Sequence, residues 1–252
     1  MSLEVLIPKG FSATSTRLVE MLREDLDVDA YAKYTFKDYD RPRTPPTARV
    51  CWGIEGRRDG LPELNAKAST FNKIDELRRF RRAGIPAPSF WTDSCPADES
   101  LYPILGRMRC HSAGEGIVLF NNSREALNHP CEFYTRVIPS VEEYRIWVYK
   151  TKHLGSYLRT KRWPVKKTGF GRNWWNGWAF DRMDNGPAAA IEYAKIAIAT
   201  MGLDFAGVDV LKGRDGHYYV LELNTSPGAE TYCQRALYLL AQNIKEWYQE
   251  EG

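Results

Sequence analysis

The amino-acid sequence predicts an α+β protein in which a short N-terminal α/β lobe precedes two α+β subdomains. Strand and helix patterns alternate within the first 66 residues, strand patterns then follow one another with hairpin signals, and two late apolar strands carry polar residues. A chain of 252 residues with 43% hydrophobic and 27% charged residues can form a large core but is long for one domain. The sequence therefore favours two or three interlocked subdomains.

The N-terminal lobe is predicted over residues 1–66. Residues 4–8 form a mostly apolar run that predicts a strand, and residues 16–22 have helical spacing, with Thr14 or Ser15 as a cap. Residues 48–52 predict a further strand after a proline-rich connector. This order indicates a small α/β unit.

The chain after the N-terminal lobe is predicted to form a helix and a hairpin. It opens with a helix at residues 71–83, because four apolar residues lie about one turn apart there and Gly84 follows. Residues 102–105 and 116–120 predict strands on either side of a loop that contains glycines. The loop and its strands predict a hairpin with an adaptable tip.

The segment after residue 131 is predicted to contain four strands and two helices. Its strands are rich in β-branched and aromatic residues, its first helix is rich in alanine, and a Gly-Arg-Asp-Gly turn joins its last two strands. The predicted strands are 132–138, 144–149, 205–211 and 217–223, and the predicted helices are 186–201 and 229–247.

Composition excludes several classes of protein. The five cysteines are odd in number and never in CxxC spacing, which disfavours a disulfide framework and a zinc site. The net charge of +3 is too small to indicate a polyanion partner by itself. No apolar run is long enough to span a bilayer, so we expect a soluble cytoplasmic protein without a membrane partner.

Polar residues on the last two strands predict a metal site. Glu222 and Asn224 are two residues apart and share one face of their strand, and Asp209 on the neighbouring strand can meet them. Two carboxylates and an amide suit Mg2+, which prefers oxygen ligands. The alternative is that Glu222 and Asn224 face solvent on an edge strand.

The run VLELNTSPG, preceded by GVDV with its Asp thirteen residues before the Glu, resembles the metal signature of the ATP-grasp ligases. The similarity extends over residues 65–232 and is greatest to the ribosomal-protein glutamate ligases and related short bacterial and phage enzymes. It implies an ATP-grasp fold in which two α+β subdomains, a central one over residues 67–134 and a C-terminal one over residues 135–252, clasp ATP. It also implies that Asp209, Glu222 and Asn224 hold two Mg2+ ions, or alternatively Mn2+, against the phosphates of ATP.

The resemblance also implies a set of nucleotide-binding residues. Lys73, Ser112, Gly114 and Gly116 are expected to contact the phosphates. Arg107 is expected to contact the phosphates or the adenine, although it stands where many relatives have Lys, which alters the expected contact geometry. A surface lysine and an ordinary turn are the alternatives for Lys73 and the glycines.

The same resemblance implies a hinge segment after the central strands. The backbone near Arg136 and Val137 is expected to bind adenine, and Glu143 is expected to accept the ribose hydroxyl groups, with Glu142 as its local alternative. Arg145 is expected either to pair with an acid or to touch ligand.

The segment 159–172 contains six basic residues and no acid. The resemblance implies that Arg159, Lys161, Arg172 and Asn173 line the place where the γ-phosphate meets the acceptor carboxylate. A solvated loop is the alternative, above all for Lys166 and Lys167. Trp174, Trp175 and Trp178 follow and suit either core packing or stacking on a substrate or nucleic acid.

Together these observations predict an ADP-forming ligase that activates a carboxylate as an acyl phosphate and joins it to an amine. They leave both substrates open, including a macromolecular acceptor, and leave the oligomeric state open. Two alternatives are a nucleic-acid-binding protein that keeps the fold without turnover, and an ATP-dependent kinase on the same fold. If the gene is from a phage, the expected location is the host cytoplasm.

Overall fold

The structure is a computed structural model, and it describes residues 2–8, 13–34, 45–57, 59–69, 71–108, 116–162, 177–229 and 232–251. Three sheets and five α-helices are present in this part of the chain. None of the helices there is both long enough and apolar enough to cross a membrane.

The first lobe contains a four-stranded parallel sheet with strand order β2-β1-β3-β4. Its elements are β1 (Ser2–Ile7), α1 (Ala13–Glu20), β2 (Ala30–Tyr34), β3 (Pro46–Cys51) and β4 (Glu63–Leu64). The helix continues into a wider π-helical turn, Met21–Asp25. Leu3, Val5 and Val50 lie on the face of the sheet that packs on α1, and the other face holds the Glu4–Arg49 ion pair.

The second sheet is antiparallel, with strand order β5-β8-β6-β7. Its elements are α2 (Lys73–Arg82), β5 (Phe90–Trp91), β6 (Ile104–Arg107), β7 (Val118–Phe120), α3 (Ser123–Asn128) and β8 (Phe133–Arg136). Asn72 caps α2, since its side-chain oxygen accepts the backbone N–H groups of Ile74 and Asp75. The cap fixes the first turn of the helix, which carries Lys73.

The third sheet has five antiparallel strands in the order β11-β10-β9-β12-β13. Its elements are β9 (Ser140–Tyr149), β10 (Lys152–Lys161), β11 (Trp178–Met183), α4 (Ala188–Met201), β12 (Phe205–Gly213), β13 (Tyr218–Asn224) and α5 (Gln234–Glu251). Gly202 ends α4 in a left-handed conformation, with φ of 65°.

The two faces of this sheet have different partners. Ile146, Val148 and Val208 lie on one face and pack against α4. On the opposite face, Trp147 and Phe205 pack into a core that the first lobe and α5 share. The rest of that opposite face carries charged side chains, which form the site described below.

Five strands, β2, β4, β5, β10 and β11, and the helix α3 were not predicted from the sequence. The basic segment was predicted to begin at Arg159, yet Arg159 and Lys161 lie within β10, and β11 follows after residue 177. The strand pattern of β10 was not recognised in the sequence, because charged residues occupy the positions that face the site. The predicted boundaries between subdomains, after residues 66 and 134, stay predictions.

Candidate functional site

A bulge in the last strand pair arranges the predicted metal residues. Asp209 pairs with Glu222 and Gly207 with Asn224, but the register shifts next to Asp209, so that Val210 pairs with Val220. The shift leaves the Leu221 carbonyl outside the regular ladder, where it accepts a hydrogen bond from the Lys73 ammonium group. The three predicted metal residues therefore lie side by side, and Asn224 Nδ2 is 3.4 Å from Glu222 Oε1.

Asp209 is buried and held by two arginines. Arg145 donates from Nε and Nη2 to its two carboxylate oxygens at 2.7 and 2.8 Å, and Arg159 donates to Oδ2 at 3.2 Å. Burial raises the pKa of Asp209, but the charges of Arg145 and Arg159 outweigh it and hold the pKa below its usual value. Asp209 is therefore ionised at neutral pH.

Arg159 connects Asp209 to a second acid. Its Nη1 lies 2.6 Å from Glu143 Oε1, and both side chains are about nine-tenths buried or more, with 12% and 5% exposed. The structure therefore brings Glu143 together with Arg159, within the charged cluster. Glu142, the local alternative, instead contacts Tyr144 and Lys212.

A cavity of about 200 Å³ lies between the central subdomain and the bulged strand. Its lining combines two cations with two carboxylates, and comprises Phe71, Asn72, Lys73, Glu76, Arg107, Glu222 and Leu223. Lys73 Nζ lies 3.0 Å from Glu76 and 3.8 Å from Glu222. Burial raises the pKa of Glu76 even though Lys73 opposes this effect. Lys73 is thus fixed at the edge of the cavity by contacts with α2 and β13.

Arg107 lies on the opposite wall of the cavity, at the end of β6. Burial lowers its pKa, with Glu222 opposing the shift, and its buried Nε has no hydrogen-bond partner among the described residues. A buried guanidinium with an unmet donor is costly, so an anion in this cavity would stabilise it. The cavity therefore suits a phosphate group, as the sequence predicts for Lys73 and Arg107.

The donor set also suits Mg2+. In the described part of the chain no three His, Cys, Asp or Glu side chains form a cluster, so an ion here would take at most two carboxylates, Asp209 and Glu222, and the Asn224 amide from the protein, with water and phosphate as its other ligands. Mg2+ commonly binds in this way, with few protein ligands. Three of the four acceptor positions of Asp209 are taken by arginines, which leaves one for a metal ion. The metal assignment remains a prediction.

The other predicted residues are less closely grouped. Arg136 is exposed at the end of β8, and the N–H of Val137 donates to Pro103. Lys161 is exposed at the end of β10, opposite Trp178. Gly116 has φ of 71°, which a side chain would disfavour. The predictions for Ser112, Gly114, Arg172 and Asn173, together with those for Lys166, Lys167, Trp174 and Trp175, lie outside the described residues.

Two residues of the site were not assigned to it from the sequence. Glu76 was read only as part of an amphipathic helix, and its place three residues after Lys73 was the available signal. Phe180 lies outside every motif of the sequence, and only the strand register shows that it is opposite Arg159.

Comparisons with known proteins test the fold of the chain. Residues 170–247 match the family model described as the RimK-like ATP-grasp domain. No curated protein matches the sequence.

Solved structures resemble the chain over nearly its whole length. The ATP-grasp ligase PsnB, complexed with a minimal precursor, has a TM-score of 0.72 at 13% identity, covering 98% of this chain and 99% of that one. D-alanine–D-alanine ligase from Bacillus anthracis has a TM-score of 0.64 at 14% identity and covers 100% of both chains. The macrocyclase MdnC from Microcystis aeruginosa, bound with precursor peptide MdnA, has a TM-score of 0.63 at 14% identity, covering 96% and 100%.

At these identities the structural similarity establishes the fold. The ATP-grasp class predicted from the sequence is confirmed. The chain therefore has the ATP-grasp fold, and its residues 170–247 match the RimK-like ATP-grasp domain.

Proposed function

We propose that this protein is an ATP- and Mg2+-dependent ligase that joins a carboxylate to an amine. The carboxylate attacks the γ-phosphorus of ATP, the bond to ADP breaks, and an acyl phosphate forms. The amine then attacks the acyl carbon, a proton is lost from nitrogen, and phosphate leaves. The products are an amide, ADP and phosphate.

The cavity between Lys73, Arg107 and Glu222 carries this proposal. Two cations, Lys73 and Arg107, meet two carboxylates there, Glu76 and Glu222, and Arg107 has an unmet donor within the described residues. A nucleotide phosphate with its metal supplies both kinds of charge that such a cavity needs. Mg2+ held by Asp209, Glu222 and Asn224 would neutralise the phosphates.

Arg145 and Arg159 supply positive charge next to the metal residues. Each is nearly buried and has hydrogen bonds to an acid, so their positions are set before any substrate binds. Fixed cations in a site that excludes water stabilise developing negative charge strongly. We therefore assign Arg159, with Arg145, to the stabilisation of the phosphoryl group and the tetrahedral oxyanion.

We further propose that the acceptor carboxylate belongs to a peptide or a protein. Two structures similar to this chain over almost its full length, one of PsnB and one of MdnC, are complexes with precursor peptides. The short first lobe is consistent with a large acceptor, because a small lobe encloses less of the substrate. A free amino acid is the competing substrate, as the D-alanine–D-alanine ligase structures show for their own reaction.

The first experiment measures ADP release with Mg-ATP, a panel of peptides and free amino acids, and candidate amines, followed by mass spectrometry. Amide formation from a peptide and an added amine gives a product whose mass is the sum of both reactants less one water. A stable gain of a phosphoryl group without an amine would indicate a kinase. Salt-sensitive binding of DNA or RNA with no ADP release under any condition would indicate the nucleic-acid-binding alternative.

The informative variant is Glu222→Gln, because half of this side chain is exposed and its loss is tolerable for folding. We expect kcat to fall about 100-fold, since the substitution removes a charge that the metal requires. Glu192→Gln on the exposed side of α4 is the matched control and should leave kcat unchanged. Equal activity of the two variants would contradict the metal assignment.

A further inference from the structure

Phe180 makes an unusual contact for a half-buried aromatic residue on a sheet. The Cζ atom of Arg159 lies 4.5 Å from the centre of its ring, and the Cζ atom of Arg145 lies 4.6 Å from the same centre. Phe180 pairs with Arg159 across β10 and β11, which brings its side chain to the same face of the sheet. One ring therefore contacts both cations of the charged cluster.

The cluster has to hold two like charges close together. Arg145 and Arg159 both donate to Oδ2 of Asp209, at 2.8 and 3.2 Å. Only 11% and 12% of their side chains are exposed, so water screens their repulsion poorly. Asp209 and Glu143 balance the two charges, and the negative face of the Phe180 ring adds attraction.

An aromatic ring and a carboxylate contact different parts of a guanidinium group. A carboxylate positions a guanidinium by accepting its N–H groups, whereas a ring contacts the flat face of the guanidinium and leaves the N–H groups available. Substrate oxygens therefore do not compete with the ring. Phe180 can hold both arginines in place while their donors bind a ligand.

We propose that Phe180 is a positioning residue for the ligase reaction, holding Arg145 and Arg159 where the acyl phosphate forms and is attacked. The inference rests on the proposed function for its kinetic consequence, but the contact itself is independent of any activity. Its effect should fall on kcat, because Phe180 lies outside the cavity that suits the ATP phosphates.

The contact is tested by NMR of arginine side chains in wild-type protein and in Phe180→Leu. A ring face shields the protons of a nearby guanidinium, so the Nε–H signals of both Arg145 and Arg159 should shift on substitution. Signals are assigned with Arg145→Lys and Arg159→Lys. Unmoved signals in the Leu variant would overturn the proposal.

The role is tested by kinetics. We expect Phe180→Leu to lower kcat about tenfold, with KM for ATP within about twofold, and Phe180→Tyr to keep wild-type kcat because it retains the ring. Trifluorophenylalanine at position 180 removes electron density from the ring with little change of shape and should lower kcat. The same replacement at Phe133, which packs in the central core with Ile74 and Leu77, should not.

Equal kcat values for the Leu and Tyr variants, or a fluorine effect that is the same at both positions, would overturn the role of Phe180. Wild-type protein that releases no ADP with any carboxylate would instead refute the proposed function. If the wild-type protein is active, a negative result with the Phe180 variants refutes only the role of Phe180. Urea unfolding of each variant confirms that it is folded.

Discussion

At the scale of single residues, Asp209 has two roles that conflict. It is a predicted metal ligand, and it is also the acid that makes the burial of Arg145 and Arg159 possible. Removing one partner of a buried ion pair is far more costly than the pair is worth, because the remaining charge is left without water or counter-charge. A substitution at Asp209 therefore tests stability before it tests catalysis.

For Asp209→Asn we expect the free energy of unfolding to fall by about 3–5 kcal/mol, because two nearly buried guanidinium groups lose their shared acid. Urea denaturation followed by circular dichroism measures this value. Glu192→Gln, an exposed acid on α4, serves as the control and should change stability by less than about 0.5 kcal/mol. A similar small change in both variants would show that the arginines do not depend on Asp209.

Unlike Asp209, Lys73 is expected to affect ligand binding more than stability, since its contacts with Glu76, Leu221 and Glu222 can be exchanged for phosphate oxygens. We expect Lys73→Met to weaken binding of Mg-ADP about tenfold or more, the usual cost of losing a charged hydrogen bond. Calorimetric titration measures the dissociation constant. Arg78→Met, on the exposed face of the same helix, is the matched control and should bind Mg-ADP normally.

Single residues were predictable where a motif fixes their spacing. Asp209, Glu222 and Asn224 could be named because strand alternation puts them on one face, and the structure places them side by side. Arg145 was left between two roles, since no sequence pattern shows which acid a guanidinium will meet across a sheet. Phe180 carried no signal, because its partners come from two other strands.

At the scale of elements, the start of α2 links helix stability to the cavity. Asn72 caps the helix and also lines the cavity, next to Lys73. The capping hydrogen bonds to Ile74 and Asp75 hold the first turn, so the position of the Lys73 backbone depends on them.

We expect Asn72→Ala to cost about 1 kcal/mol of stability and also to raise KM for ATP, because the turn that carries Lys73 frays. Asn122→Ala is a matched control: Asn122 caps α3 by accepting the Glu125 N–H, and it does not line the cavity. It should lose a similar amount of stability with unchanged KM. A KM effect of equal size in both variants would contradict the link between the Asn72 cap and ATP binding.

Elements were predictable in proportion to how regular their patterns are. Helix α2 was located to within two residues at its start, because apolar spacing and Gly84 mark it. Strand β10 was not predicted, since Arg159 and Lys161 occupy its inward positions and charged residues there read as a loop. An element that builds a charged site departs from the apolar alternation used to find it.

At the scale of the whole molecule, the first lobe and the C-terminal sheet are built as one unit. Leu3 and Trp52 from the lobe share a core with Phe205 and with Leu237 of α5. The Gly53 N–H donates to Thr225 just after the last predicted metal residue, at 3.1 Å. This joint packing was not predictable from local patterns, because it depends on residues more than 150 positions apart.

Asn65 is the polar part of this connection. Its side-chain oxygen accepts the backbone N–H groups of Asp204 and Phe205 at 3.0 and 3.3 Å. The backbone N–H of Asn65 donates to the Asp204 carboxylate at 2.6 Å. Asn65 is fully buried and has φ of 61°, a conformation that asparagine adopts more readily than most residues. Its side chain and its backbone conformation therefore both contribute to the junction.

The two contributions can be separated by two substitutions. We expect Asn65→Gly to cost about 1–3 kcal/mol, because it keeps the positive φ but leaves two buried N–H groups without an acceptor. Asn65→Ala should cost about 1 kcal/mol more, because the left-handed conformation then strains a side chain. Urea unfolding is followed by tryptophan fluorescence and by circular dichroism. Since the lobe shares its core with the C-terminal sheet, both probes should report one transition at the same midpoint. Two separated transitions would mean that the first lobe unfolds on its own and that Asn65 joins two independent units.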